Sequence, residues 1–226
     1  NKQKIKGFIS DKIKGLILSV VLGGLLITGI LWAMSLGPYW WAWAWAVMTT
    51  FSLMTAWIYP SVLAPLFNKF NPLEEGELKK EIFSLSEKVE FKTSGIFIMD
   101  ASTRSTHGNA YFTGLFGEKR IVLFDTLVKS LNPKEIVAVL AHELGHFKLH
   151  HVRISLIRST FLTGFMFYLI SLLLPVESFY HAFGFSGISN YAALVIFSLC
   201  FSLTDLLTTP LSTYLSRRNE FAADHF

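Results

Sequence analysis

The chain has 226 residues, 52% of them apolar and only 16% charged, where soluble chains carry roughly 25% charged residues. That composition excludes a disordered tail, a coiled coil and an ordinary cytosolic globule, and the single cysteine, Cys200, excludes a disulfide scaffold and a Cys-rich zinc module. The net charge of +4 does not mark a nucleic-acid face, because Lys2, Lys4, Lys6, Lys12 and Lys14 set against Asp11 account for all of it and residues 15–226 balance to zero.

In chain order, residues 1–15 form a basic segment. Residues 16–60 then read as a transmembrane hairpin: Leu16–Leu36 is 21 residues and Trp40–Tyr59 another 20, all uncharged, each long enough to cross about 30 Å of hydrocarbon. The turn Gly37-Pro38-Tyr39 forces them antiparallel. Trp32, Trp40, Trp41, Trp43 and Trp45 gather near that turn, with Trp57 near the other end, as indoles do at the two interfaces of a bilayer. The first apolar stretch is too long for a cleavable signal peptide.

Residues 61–151 are charged and rich in turn signals, the mark of a small α+β part. Asn71-Pro72 followed by Glu74 and Glu75 predicts a helix running to about Val89. Gly95–Met99, Asn109–Gly114 and Arg120–Phe124 read as strands, the last two joined by a turn around Gly117-Glu118-Lys119. Asn132-Pro133 with Glu135 starts a further helix. Residues 152–209 hold a second pair of membrane helices. One is Ser159–Leu174, extended through Ile154–Ile157 with Arg158 snorkelling; the other is Tyr191–Thr209, interrupted by Asp205. An acid in an apolar span faces either a wet cavity, here beside Thr204, Thr208 and Thr209, or the nearby interface. Cys200 reads as packing with no redox role. Between Arg158 and Arg217 there is no Lys or Arg. The positive-inside rule therefore puts residues 1–15, 60–158 and 210–226 on the cytoplasmic side, with four crossings between them.

The helix that starts at Asn132 contains His142-Glu143-Leu144-Gly145-His146. Two imidazoles four residues apart share one helical face and can share one metal, with Glu143 placed to take a proton from a water in the open position. With seven His in 226 residues, roughly 0.01 accidental copies of HExxH are expected, so the pattern is specific. A catalytic zinc takes three protein ligands. Leu149 and Val152 stand where a helix-breaking Gly and a third His would be needed, and on a continuing helix His150 lies too far along the axis. Of the downstream acids, Glu177 is in the outer loop and Asp205 is inside a span. Glu220 and Asp224 are cytoplasmic, on one helical face, and suit a zinc carboxylate and an acid that orients a ligand imidazole. A plain amphipathic helix with an ion pair is the structural alternative. Asn109, Ala110 and Tyr111 could offer an exposed strand edge to an extended peptide, or simply form an antiparallel strand with Tyr111 in the core. His107 and Arg104 read as loop residues, and His150, His151, Arg153 and Arg158 as interfacial anchors.

Leu66-Phe67-Asn68-Lys69-Phe70-Asn71-Pro72-Leu73, the stretch Asp100–His151 with Lys119-Arg120-Ile121-Val122-Leu123-Phe124-Asp125-Thr126-Leu127 and HELGH, and Ser216–Asp224 together resemble the integral-membrane CAAX prenyl protease family. The resemblance runs from about Ile13 to the end. It implies His142, His146 and Glu220 as ligands of one Zn²⁺ per chain, Glu143 as general base, and Asp224 as the acid behind a ligand or a proton donor. It implies a chamber enclosed by seven helices, of which four are readable, and a C-terminal His and Arg motif that this chain lacks; with no initiator Met, the chain is expected to be part of a longer protein.

The fold expected is mainly α: a helical integral-membrane zincin-like metalloprotease with four transmembrane helices and a small α+β cytoplasmic insertion. The expected activity is zinc-dependent cleavage of peptide or protein substrates near their C-terminus, lipidated or not, in a lipid bilayer and without nucleic acid. The alternatives are an HtpX-like quality-control protease, a catalytically inactive membrane scaffold, and a transporter with a metal-sensing domain.

Overall fold

A computed structural model describes residues 3–113 and 119–225, with backbone only at 201, 203–205 and 207. The expected strand end at Gly114, the turn at Gly117-Glu118, and the side chains of Thr204 and Asp205 lie outside the described residues. The chain divides into two compact units. One comprises Asn1–Leu16, Met54–His151 and Asn219–Phe226, and the other Ile17–Leu53 and Val152–Arg218.

The second unit is helical. It takes in most of α1 (Ile5–Met34) and α2 (Trp40–Ile58), together with α7 (His151–Leu173) and the long α9 (Asn190–Asp224). Among the described residues, three helices are long and apolar enough to cross a membrane: Ile5–Met34, Trp40–Phe67 and His151–Leu173. The expected fourth crossing lies within α9, of which Asn190–Cys200 is a shorter apolar stretch. The second span runs past Tyr59 because Pro60, which has no N–H to give, sits in a π-helical turn, Tyr59–Leu63, that leads into α3 (Ala64–Phe67). Within this unit the Trp45 indole N–H donates to the Thr160 carbonyl at 2.9 Å. A Cβ on Gly164 would come within 3.0 Å of the same indole, so the two helices meet where only glycine fits. Phe167 stacks on Phe197 at 4.9 Å. Cys200 is partly buried beside Ile170, Ala193 and Ile196. The loop expected after Pro175 contains a short helix, α8 (Glu177–Ala182).

The first unit is built on a four-stranded sheet in the order β1 (Phe70–Pro72), β2 (Gly95–Met99), β4 (Arg120–Phe124), β3 (Ala110–Thr113). β2 and β4 are parallel, and the two edge strands are antiparallel to their neighbours. The helix expected to start at Asn71-Pro72 does not. Those residues pair with Ile98 and Phe97 in β1, an edge position where a proline without an N–H is tolerated. The helix itself, α4 (Glu77–Lys88), begins five residues later.

Alternation along the strands gives the sheet two dissimilar faces. Ile96, Ala110, Ile121 and Leu123 pack with Ile82 of α4 and with Ile136, Leu140 and Leu144 of α6 (Pro133–Lys148). Met99, Val122 and Tyr111 form a smaller cluster on the other face. α6 starts as its sequence signals: Asn132 Oδ1 accepts from the Glu135 N–H at 3.1 Å, and the Glu135 carboxylate accepts from the Asn132 N–H at 2.8 Å. A short α5 (Asp125–Ser130) precedes it.

α6 ends at Lys148, and His150 takes φ +58° before α7 begins at His151. A side chain at positive φ costs roughly 1–2 kcal/mol, a cost glycine avoids. His150→Gly is therefore expected to raise the thermal midpoint of the purified protein, by about 0.5–1 kcal/mol of stability. His150→Val, β-branched, should lower it.

Candidate metal centre

Ile136, Leu140 and Leu144 recur at four-residue spacing and form the ridge that α6 buries against the sheet. The mean direction of His142 and His146 lies about 140° round the helix from that ridge, and Glu143 lies about 60° from it. The imidazoles therefore emerge on the face away from the core, while the Glu143 carboxylate is half-buried at its margin. The final turn of α9 supplies Glu220 and Asp224.

These elements converge. His142 Nε2 lies 3.2 Å from His146 Nε2 and 3.2 Å from Glu220 Oε2, and the third edge, His146 Nε2 to Glu220 Oε2, is 3.4 Å. A donor triangle of this size suits metal bonds of about 2.0–2.1 Å in tetrahedral arrangement, for which ligand atoms lie about 3.3–3.4 Å apart. The chemistry of the donors points the same way. His142 Nδ1 sits 2.7 Å from Asp224 Oδ1, which fixes its proton on Nδ1 and turns the Nε2 lone pair inward. Two lone pairs and a carboxylate oxygen then face one another. One proton added to this triangle can satisfy a single edge, whereas a cation at its centre serves all three. The side chains of His142 and His146 are 28% and 19% exposed but that of Glu220 is 54% exposed. The carboxylate side is thus open, as a catalytic site with a free coordination position requires.

Burial pushes the Glu143 carboxyl above its ordinary value. His146 and His142 oppose that shift electrostatically, and the Glu220 carboxylate reinforces it.

Residues with the chemistry and spacing of a zincin site have relatives to match. Residues 72–226 match peptidase family M48, and residues 1–69 match the family described as CAAX prenyl protease N-terminal, five membrane helices. The chain belongs to peptidase family M48. It is 42% identical to the CAAX prenyl protease 1 homolog of Arabidopsis thaliana, covering 100% of this chain and 54% of that protein. With CAAX prenyl protease 1 of Saccharomyces cerevisiae it shares 39% identity over 100% of this chain and 54% of that one. The crystal structure of S. mikatae Ste24p superposes with a TM-score of 0.91 at 37% identity, over 100% of this chain and 56% of that chain. The chain thus spans about half the length of the relatives it matches. It is a mainly helical, integral-membrane member of M48, and membership implies a metal cofactor that the His142, His146 and Glu220 donor set fits.

Of the other residues singled out in the sequence, Ala110 is buried in the main core. Tyr111 is half-buried on the opposite face, its hydroxyl 3.9 Å from Met99 Sδ, and burial pushes its phenol up to about 12. Asn109 is exposed, and its side-chain oxygen accepts from the Ala110 N–H at 2.9 Å. Arg104 is more than a loop residue: its guanidinium donates to Asp11 Oδ2 at 3.0 Å and to Asn68 Oδ1 at 3.3 Å, tying the β2–β3 connection to α1. His107 is exposed, with its carbonyl accepting from Thr126 Oγ1 at 2.8 Å. His151, read from the sequence as an interfacial anchor, has its Nδ1 3.0 Å from His146 Nδ1.

The raised Glu143 carboxyl has a consequence for stability. A carboxyl that holds its proton more tightly in the folded state than in the unfolded one favours folding at low pH, and that contribution is lost as pH rises through the folded value. In metal-free protein, Glu143→Gln should therefore raise the thermal midpoint at pH 7, with the gain shrinking as pH falls through the carboxylate range. A midpoint difference that is flat with pH would contradict the assignment.

Proposed function

We propose that this chain carries the metal-binding core of a membrane-embedded zinc metalloendopeptidase that cuts peptide bonds near the C-terminus of CAAX-type protein substrates, whether prenylated or not. The observation that carries the reading is the convergence of His142, His146 and Glu220, whose three donor atoms lie within 3.2–3.4 Å of one another. The relatives named as CAAX prenyl proteases, at 39–42% identity, favour a C-terminal tetrapeptide substrate over general quality control.

His142, His146 and Glu220 would hold the zinc, which would supply Lewis acidity toward the scissile carbonyl and make the attacking water easier to deprotonate. Glu143 takes the proton from the attacking water and returns it to the leaving amine. Its half-buried carboxyl and raised pKa suit a group that must accept a proton and then release it. Asp224 accepts the Nδ1–H of His142, holding the ring in the tautomer and orientation that turn Nε2 inward.

β3 is the end strand of the sheet and packs against α6. An extended substrate is held by main-chain pairing along the outer edge of β3 beside Asn109, Ala110 and Tyr111, where the Ala110 N–H would exchange its bond to the Asn109 side-chain oxygen, 2.9 Å away, for one to the substrate. Ala110 and Tyr111 set the strand through the two sheet faces rather than through direct side-chain contact. Residues 61–151 and 210–226 lie on the cytoplasmic side with the basic segment 1–15, while 16–60 and 152–209 provide the two pairs of membrane helices.

The full-length protein should release a C-terminal tripeptide from farnesylated and unmodified CAAX peptides, read by mass spectrometry. Glu143→Gln should retain one zinc per chain while cleavage falls by about 10²–10⁴-fold or more, and His146→Ala should lose the metal. Undiminished cleavage by Glu143→Gln would refute the mechanism, and a zinc-free protein that cleaves normally would refute the metal.

A further inference from the structure

His142 and His146 both present Nε2 to the donor triangle, so each has a second ring nitrogen that needs a partner. For His142 the partner is Asp224, at 2.7 Å. For His146 it is His151, with the two Nδ1 atoms 3.0 Å apart and the rings edge-to-face at 73° with centroids 5.0 Å apart. We infer that His151 is the positioning residue for His146: its Nδ1 lone pair accepts the Nδ1–H of His146 and thereby fixes the tautomer and ring plane that deliver His146 Nε2. The inference rests on the metal-site reading above.

The proton inventory leaves a single arrangement. If His146 Nε2 is to donate a lone pair, its proton must be on Nδ1, and the only hydrogen-bonding group found opposite that nitrogen among the described residues is His151 Nδ1. His151 must then be neutral, with its own proton on Nε2. A ligand imidazole that donates its other N–H is more basic and less free to rotate, and losing such a partner typically weakens metal binding 10–100-fold.

The backbone is built for this contact. On an uninterrupted helix His151 would stand about 140° round and about 7.5 Å along from His146, out of reach. Instead α6 stops after Lys148. The Leu149 N–H still bonds the Gly145 carbonyl, and the His150 N–H bonds the Phe147 carbonyl. His150, at φ +58°, breaks the helical path, and His151, the first residue of α7, lies with its Nδ1 3.0 Å from that of His146. The positive-φ residue stands immediately before the one that makes the contact.

The test compares zinc affinity, by chelator competition, in the full-length protein and four variants. Asparagine places Oδ1 close to where histidine has Nδ1, so His151→Asn keeps an acceptor, while His151→Leu and His151→Ala remove it. The expected result is a 10–100-fold loss of affinity for His151→Leu and His151→Ala and recovery to within about threefold for His151→Asn, with metal-free thermal midpoints alike. Should His151→Leu fail to fold, His151→Ala against His151→Asn makes the same comparison. Unchanged affinity on losing the acceptor overturns the inference, as does a His151→Asn that binds as poorly as His151→Ala. His146→Ala in the same titration separates the two claims: if it too leaves zinc binding intact, the metal reading itself fails, whereas its loss of zinc beside unaffected His151 variants removes only the role of His151.

Discussion

Three atoms that all prefer to accept come together in this protein. His142 Nε2, His146 Nε2 and Glu220 Oε2 lie within 3.2–3.4 Å of one another, although Glu220 is 78 residues beyond His142 in sequence. The two elements that supply them, the middle of α6 and the end of α9, are held by different means. α6 is fixed by a reciprocal cap at Asn132 and an apolar ridge driven into the sheet. The end of α9 meets α6 through polar groups: Glu220 at the triangle and Asp224 at the back of His142. A cation in the triangle would therefore act as a cross-link, turning a mutually repulsive cluster into a joint between the middle of α6 and the end of α9.

Behind His142 and His146, α6 is packed against aromatic side chains. Phe147, the residue after His146, meets Phe91 edge-on at 5.0 Å, and Phe91 meets Phe112 of β3 at 5.0 Å. The ammonium of Lys119 sits 4.5 Å from the Phe147 ring and 5.2 Å from that of Phe91, a cation–π pairing that closes the outer side of the stack. This chain of aromatic contacts links the ligand helix to the edge strand beside it. Ala110, 1% exposed, has a side chain small enough for β3 to approach α6 closely. The strand and the donor pair are thus parts of one packed layer.

The sequence discloses the parts of this arrangement that depend on local periodicity. Four-residue spacing shows His142 and His146 on one face, and the spacing of Glu220 and Asp224 shows two acids on another. The Asn132-Pro133-Glu135 cap is readable because each residue satisfies a specific backbone group. What stays hidden depends on tertiary context. β1 is three residues long and contains a proline, so nothing local separates it from a helix cap; it is a strand because β2 offers an edge. The parallel pairing of β2 with β4 is likewise decided across the intervening β3. His151 was missed for a sharper reason. The turn that redirects it uses a positive-φ histidine where a glycine would have announced the helix end. Histidine is among the residues that tolerate that conformation, but Lys148-Leu149-His150-His151 contains no punctuation that a sequence reader could use.

On the zinc-peptidase reading proposed above, His142 and His146 are backed by partners of different kind, a carboxylate and an imidazole, and the difference bears on catalysis. Glu143, Glu220 and Asp224 already bring three carboxylates to the site, more than enough to neutralise a dication. A fourth acid behind His146 would make the centre still more negative and weaken its pull on the oxygen that gains charge as a peptide bond is attacked. An imidazole that accepts through Nδ1, as inferred for His151, would supply the hydrogen bond without the charge. It would hold the His146 ring plane while leaving the electrophilic character of a bound cation intact. Asp224, on the exposed side at 62% exposure, has its charge partly screened by water. The carboxylate thus stands where solvent moderates it, and the uncharged acceptor stands on the more enclosed side, behind a ligand only 19% exposed.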